Sequence, residues 1–174
     1  VDLDGSSAVS FVGTGAGNYF IAIRHRNHLG VRSATAMLVN GTLASPTSYN
    51  FSTSQAQAYQ DPNILILPAP NNNNAIVALA GGKFGMWGGN CNANASVRTN
   101  GGANPAVNDY TYLINTALSG NVTLIISNVY NIADLNMDGS MRANGGANPA
   151  INDYTFLINT VLGGDVTKII SQHQ

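Results

Sequence analysis

The chain has 174 residues, of which 44% are hydrophobic and only 9% are charged, with a formal net charge of −1. That apolar share supports a core and argues against wholesale disorder. The charge share lies far below the roughly 25% of an average soluble domain, and it offers neither a basic patch for nucleic acid nor a polybasic anchor for direct membrane contact. The sequence has no glutamate; its acids are eight aspartates, and Asp134, Asp138, Asp153 and Asp165 all lie in the last 41 residues. The single cysteine, Cys91, excludes an intrachain disulfide and a cysteine zinc cluster.

No apolar run approaches the about 20 residues that span a bilayer, and no signal peptide is visible. The opening VDLDGSSAV, without an initiator methionine, reads as a mature, processed or partial product. Abundant Asn, Gly, Thr and Ser with few charges is the composition of extracellular surface and filament proteins, so secretion to the cell surface is the expected localisation.

In chain order, residues 1–88 predict a mainly β, sandwich-like (Ig-like) domain. SAVSFVG, NYFIAIRHR, GVRSATAMLVNG, TSYNFST, NAIVALAGG and KFGMWGG are short β-branched or aromatic runs separated by Gly, Asn, Pro and Ser turn signals. DPNILILPAPNNNNA reads as a loop containing a short strand, because two prolines and the Asn71–Asn74 tetrad interrupt it. Arg24 and Arg26 read as one solvated face of the strand that ends in RHRNH. His25 and His28 read as the strand end and its turn, since no carboxylate or cysteine stands at metal-ligand spacing from them.

Residues 89–174 are a different kind of unit. Segments 90–127 and 134–171 are the same stretch written twice, offset by 44, with 25 of 38 aligned positions identical. An internal repeat of this kind predicts two copies of one supersecondary unit packed together. Each copy reads as a loop followed by a helix. Asn104 and Asn148 are the expected N-caps, Pro105 and Pro149 the first helical residues, and Gly163 the stop in the second copy. The predicted apolar stripes are Val107, Tyr110, Leu113, Ile114, Ala117 and Leu118, and Ile151, Tyr154, Leu157, Ile158, Val161 and Leu162. The VTLIIS and VTKIIS tails stay open between strand and final helical turn.

The loops carry the chemistry. Asp134, Asn136 and Asp138 followed by Gly139 match D-x-[DN]-x-[DN]-G, the first half of an EF-hand-type loop. Ser140 would add its backbone carbonyl at position seven, but position twelve, where a bidentate Glu is usual, falls on Gly145. The nearest acid is Asp153, and the glycine-rich insert before it is long enough to bring it back to the loop. In the first copy the same positions hold Asn90, Asn92, Asn94 and Ser96, with Asp109 as the only acid and Ala95 in place of the turn glycine. Affinity follows the charge count of the ligands, so the sequence predicts one strong Ca2+ site in the second repeat and a weaker or absent one in the first.

This D-x-N-x-D-G run, with its basic residue, Gly/Asn insert and N-D at the helix start, resembles the dockerin-like calcium repeats found in tandem at the C-termini of large secreted bacterial surface proteins. IRHRNHLGV at Ile23–Val31 and the M-W-x-G segment at Met86–Gly89 are similar to the β domains that precede such repeats. The resemblance implies an extracellular, calcium-stabilised structural or adhesion module. Its partners would be further copies of itself, in an oligomer or filament, or another surface protein. Docking to a heterologous partner and accessory service to a larger secreted enzyme are the alternatives it leaves. A non-enzymatic role fits the residues. No GxSxG surrounds Ser6, Ser7 or Ser10, and outside the loops only Asp2, Asp4, Asp61 and Asp165 remain for paired-carboxylate chemistry.

Overall fold

A computed structural model describes residues 14–39 and 48–173. The expected strand at 7–13 lies outside these residues. The β-rich half folds as short antiparallel ribbons: β1 (Gly17–Tyr19) pairs with β4 (Met37–Val39), β2 (Ala22–Ile23) with β3 (Val31–Arg32), and β5 (Val77–Leu79) with β6 (Lys83–Gly85). Among the described residues no sheet exceeds two strands, so the β half is a set of small antiparallel pairs in a mixed fold. TSYNFST forms no strand over its described part.

DPNILIL departs from the strand expected inside it. Pro62–Leu65 is a helical turn, α1. The cause is local: the Asp61 carboxylate accepts the Asn63 N–H as an N-cap, and Pro62 supplies a helix-ready φ at the first position.

The repeats meet as a reciprocal pair, and the tails that the sequence left open are strands. The tail of the first copy, β8 (Ile125–Ser127), pairs antiparallel with β9 (Ser140–Arg142) in the loop of the second. The tail of the second, β10 (Ile169–Ser171), pairs with β7 (Ser96–Arg98) in the loop of the first. Ile125 opposes Arg142 and Ile169 opposes Arg98, equivalent positions under the 44-residue offset. Each copy therefore completes the other's loop, and neither has its full set of backbone bonds alone.

The helices start four residues later than their sequence signals suggest. Asn108 and Asn152 are the N-caps of α2 (Asp109–Thr111) and α3 (Asp153–Thr155), with side chains accepting the Thr111 and Thr155 N–H groups at 3.1 Å. Asn104 and Asn148 instead close small turns, accepting from Ala106 N and Ala150 N. Each helix then widens into a π-helical stretch, Tyr112–Ala117 and Phe156–Val161.

The widened turns and later starts re-phase the expected stripes. Leu113, Ile114 and Leu118 join Leu157, Val161 and Leu162 in one core, while Tyr110 and Tyr154 lie at its edge with ring centroids 5.1 Å apart. Val107 and Ile151 precede the helices altogether.

The β half is fastened to this core. Leu29 and Trp87 pack into it, whereas Val31, Ala58, Ala75 and Ile76 form a smaller cluster of their own. At the junction Gly89 has φ 96°, and a Cβ there would lie 3.0 Å from Val97 and 3.1 Å from Leu157. The residue thus provides both a left-handed turn and a close approach. The Asn tetrad is a further fastening. Asn71 Oδ1 accepts the Ile169 N–H and Asn73 Oδ1 the Ser171 N–H, both at 2.8 Å, while Asn73 Nδ2 donates to Ser171 O. Alternate asparagines thus stand in for a strand along the second edge of β10. His173, buried beside them, accepts the Asp61 N–H on Nδ1 and faces Asn73 O from Nε2.

Breaking this surrogate ladder is expected to cost about 1–3 kcal/mol, since Asn73→Ala strips partners from both polar groups of the Ser171 backbone. The exposed neighbour change Asn72→Ala is expected to cost less than about 0.5 kcal/mol. Urea denaturation of both variants checks this, and equal effects would assign the tetrad no fastening role.

Candidate metal centre

The second loop folds around its own side chains. Asp134 Oδ1 accepts the Asp138 N–H at 3.0 Å and Oδ2 the Gly139 N–H at 3.2 Å. Asn136 Oδ1 also accepts from Asp138 N, and Asp138 Oδ1 accepts from Ser140 N at 2.8 Å. Met137 and Gly139 take left-handed conformations, φ 61° and 85°. The glycine supplies the tight turn that an EF-hand-type loop needs at its sixth position. The structure thus gathers Asp134, Asn136, Asp138 and Ser140 in one loop with hard oxygen donors at alternate positions.

Two guanidinium groups attend this loop. Arg26 Nη2 lies 3.3 Å from Asp134 Oδ2, with its head 3.8 Å from the Tyr130 ring centroid, and Arg142 Nη2 lies 3.8 Å from Asp138 Oδ2. Arg26 is therefore not part of a solvated strand face; only Arg24 stays exposed. Asn27 Nδ2 adds a 2.6 Å bond to Asp134 O. The Arg26 and Asn27 contacts join residues more than a hundred positions apart, and no local pattern announces them. A cation in the loop would share the two carboxylates with these arginines.

Asp153 has a different task from the loop side chains. Its Oδ1 accepts the Leu135 N–H at 2.7 Å and the Asn136 N–H at 3.3 Å, and its Oδ2 accepts the Arg142 N–H at 2.8 Å. It reaches the loop's backbone rather than its acidic side chains. Among the described residues no three His, Cys, Asp or Glu side chains converge as a metal cluster, so completing a calcium shell here falls to Asn136, backbone carbonyls and water, all ligands that calcium takes.

The first copy shows what Asp153 is for. Asp109 makes the same bonds, accepting from Cys91 N at 3.0 Å and Arg98 N at 2.9 Å. Yet its loop has no acid left. The Asn92 and Asn94 amides donate to Pro105 O and Ala106 O, and Asn90 Nδ2 donates to Asn94 O. Asn94 Oδ1 accepts from both Ser96 N and Ser96 Oγ. These amide N–H groups serve carbonyls across the loop, a role a bound cation would otherwise fill. Within this loop, among the described residues, Asn90 Oδ1 is the buried side-chain atom left without a partner. The loop is thus largely satisfied by its own side chains, and the buried aspartate is retained as a clamp in both copies. Cys91 is a buried thiol whose Sγ lies 3.1 Å from Asp109 O.

Burial raises both clamp carboxyls against the pull of their N–H donors, Asp109 to about 7 and Asp153 to about 6 from an ordinary 3.8. Because the folded values exceed the unfolded one, the folded chain holds more protons over this range. The contribution is complete below about pH 4 and is lost as pH rises through 6 and 7. For Asp109 it is on the order of 4 kcal/mol. In chelator-containing buffer the melting temperature is expected to fall between pH 5 and pH 8, and Asp109→Asn to flatten that fall. Calorimetric scans across pH check this; a midpoint that climbs over the range contradicts it. Comparison with protein families, curated proteins and solved structures finds no match to this chain.

Proposed function

We propose that this chain is a non-enzymatic, calcium-stabilised structural or adhesion module of the bacterial cell exterior, with a sandwich-like β half and dockerin-like tandem repeats, and that it associates with further copies of itself. The observation that carries the reading is the second loop. Asp134, Asn136 and Asp138 present oxygens at alternate positions around a left-handed Gly139, with backbone N–H groups already holding the carboxylates in place. Calcium adds stability there because it binds the folded loop and not the unfolded chain, about 2.7 kcal/mol at a hundredfold excess over Kd. Two carboxylates against none in the first loop support one strong site, in the second repeat.

Self-association is supported by the surface. Ile66 is 79% and Leu79 52% exposed on a chain whose 9% charge provides little electrostatic repulsion. Among the described residues each ribbon of the β half has two strands, and the edge of such a ribbon is a surface to which a neighbouring chain can add a strand.

Calorimetric titration is expected to show one calcium per chain, with Asp138→Asn weakening it about 10-fold or more and Asn94→Ala changing little. Electron microscopy and melting curves with calcium and then with EDTA test the role. Loss of assemblies and a drop of several degrees are expected with chelator. If neither assembly nor melting responds, the calcium role is wrong. A monomer at all calcium levels would instead favour docking to a different surface protein.

A further inference from the structure

The turn formed by RHRNH gathers three metal-binding atoms that neither loop uses. His28 N–H bonds back to His25 O, and this turn brings the two imidazoles edge to face, with ring centroids 4.7 Å apart. His25 Nδ1 and His28 Nδ1 are 2.9 Å apart, and Asn27 Oδ1 lies 3.0 Å from the first and 2.7 Å from the second. The Asn27 amide is oriented by its partner, since Nδ2 donates to Asp134 O at 2.6 Å. The atom facing the two rings is therefore its oxygen, which only accepts.

No placement of protons satisfies this triangle. With a hydrogen on both Nδ1 atoms, two N–H donors face each other at 2.9 Å. With a hydrogen on one, the other nitrogen's lone pair faces the Asn27 oxygen at hydrogen-bond distance with nothing between them. A cation held by all three atoms removes both conflicts. Tetrahedral zinc with bonds of about 2.0–2.1 Å separates its ligands by roughly 3.3 Å, so the triangle needs to open by only a few tenths of an ångström. Both rings line a cavity of about 350 Å³ that also meets Arg24 and Gln172, so a water or small anion can reach a fourth position.

We propose that His25 Nδ1, His28 Nδ1 and Asn27 Oδ1 form a binding site for a borderline divalent transition metal, zinc above all. The site is independent of the calcium reading, because none of its three donors belongs to either loop. Two imidazoles and one amide oxygen suit zinc, whereas calcium takes oxygen ligands and leaves the rings aside.

The test is a zinc titration of the full chain, stripped with chelator and returned to buffer with excess calcium so that the loops are saturated. One zinc per chain is expected, and Co2+ in its place should give visible absorption bands that shift when an imidazole ligand is lost. His25→Gln and His28→Gln are each expected to weaken zinc more than about 100-fold, beyond the 10–100-fold typical of an outer-shell partner. Asp134→Asn is expected to leave zinc binding intact. Since His28 is half-buried and packs within the turn while His25 is exposed, the His25 variant decides. Saturable zinc binding by His25→Gln equal to that of the parent chain, no binding by the parent chain, or zinc lost in Asp134→Asn but kept in His25→Gln would each overturn the site.

Discussion

The repeat half depends on a buried carboxylate at the start of each helix gathering the backbone of the loop before it. Asp109 and Asp153 are each fully buried, and each bridges the second residue of its loop to the strand that leaves it. Few contacts do so much with so few atoms. The carboxylate satisfies N–H groups that have no strand partner on that side, fixes the loop against the helix, and carries negative charge at the helix N-terminus, where the macrodipole favours it. The cost of burying the charge appears in the raised values of both groups. The first loop has no acid and keeps the clamp, so the clamp serves the fold whether or not its loop carries acids.

Strand exchange makes the two clamps interdependent. Arg142, whose N–H bonds Asp153, sits in β9 opposite Ile125 of the other copy, and Arg98, whose N–H bonds Asp109, sits in β7 opposite Ile169. Each carboxylate therefore holds a strand whose other edge is the partner repeat's tail. A lost clamp loosens both copies, and a cation that tightens the second loop tightens the pairing that completes the unit. Calcium bound at that single loop would therefore have leverage over the whole repeat pair.

Much of this was readable in the sequence, and the rest was not for identifiable reasons. The 44-residue repeat and the D-x-N-x-D-G turn are local patterns with local causes, and each stands in the structure where the residues place it. The helix starts were misread because Asn104–Pro105 and Asn148–Pro149 carry strong cap signals but make turns. The true caps, Asn108 and Asn152, also grip the folded insert just before them, donating to Thr99 O and Gly102 O and to Ala143 O and Gly146 O, a shape that cap signals alone do not report. The π-helical turns shift the apolar phase, and no 3.6-residue periodicity reports that. The roles of Arg26, Asn27, Asn71 and Asn73 depend on partners about a hundred residues away, and a tetrad of asparagines looks like any other loop.

Those asparagines show how a chain so poor in charge holds its parts together. An amide offers a donor and an acceptor on one planar head, which is what a strand edge presents with its backbone. Asn73 uses both on Ser171, Asn152 caps a helix while gripping the insert before it, and Asn27 joins the RHRNH turn to the backbone of Asp134. Such bonds need no counter-ion and depend little on salt. Four of the eight aspartates are used in the repeats, Asp109 and Asp153 at the clamps and Asp134 and Asp138 in the one loop whose carboxylates are balanced by Arg26 and Arg142. Asn27 also links the two candidate metal sites, since one end of its amide faces the histidine pair and the other holds the carbonyl of Asp134.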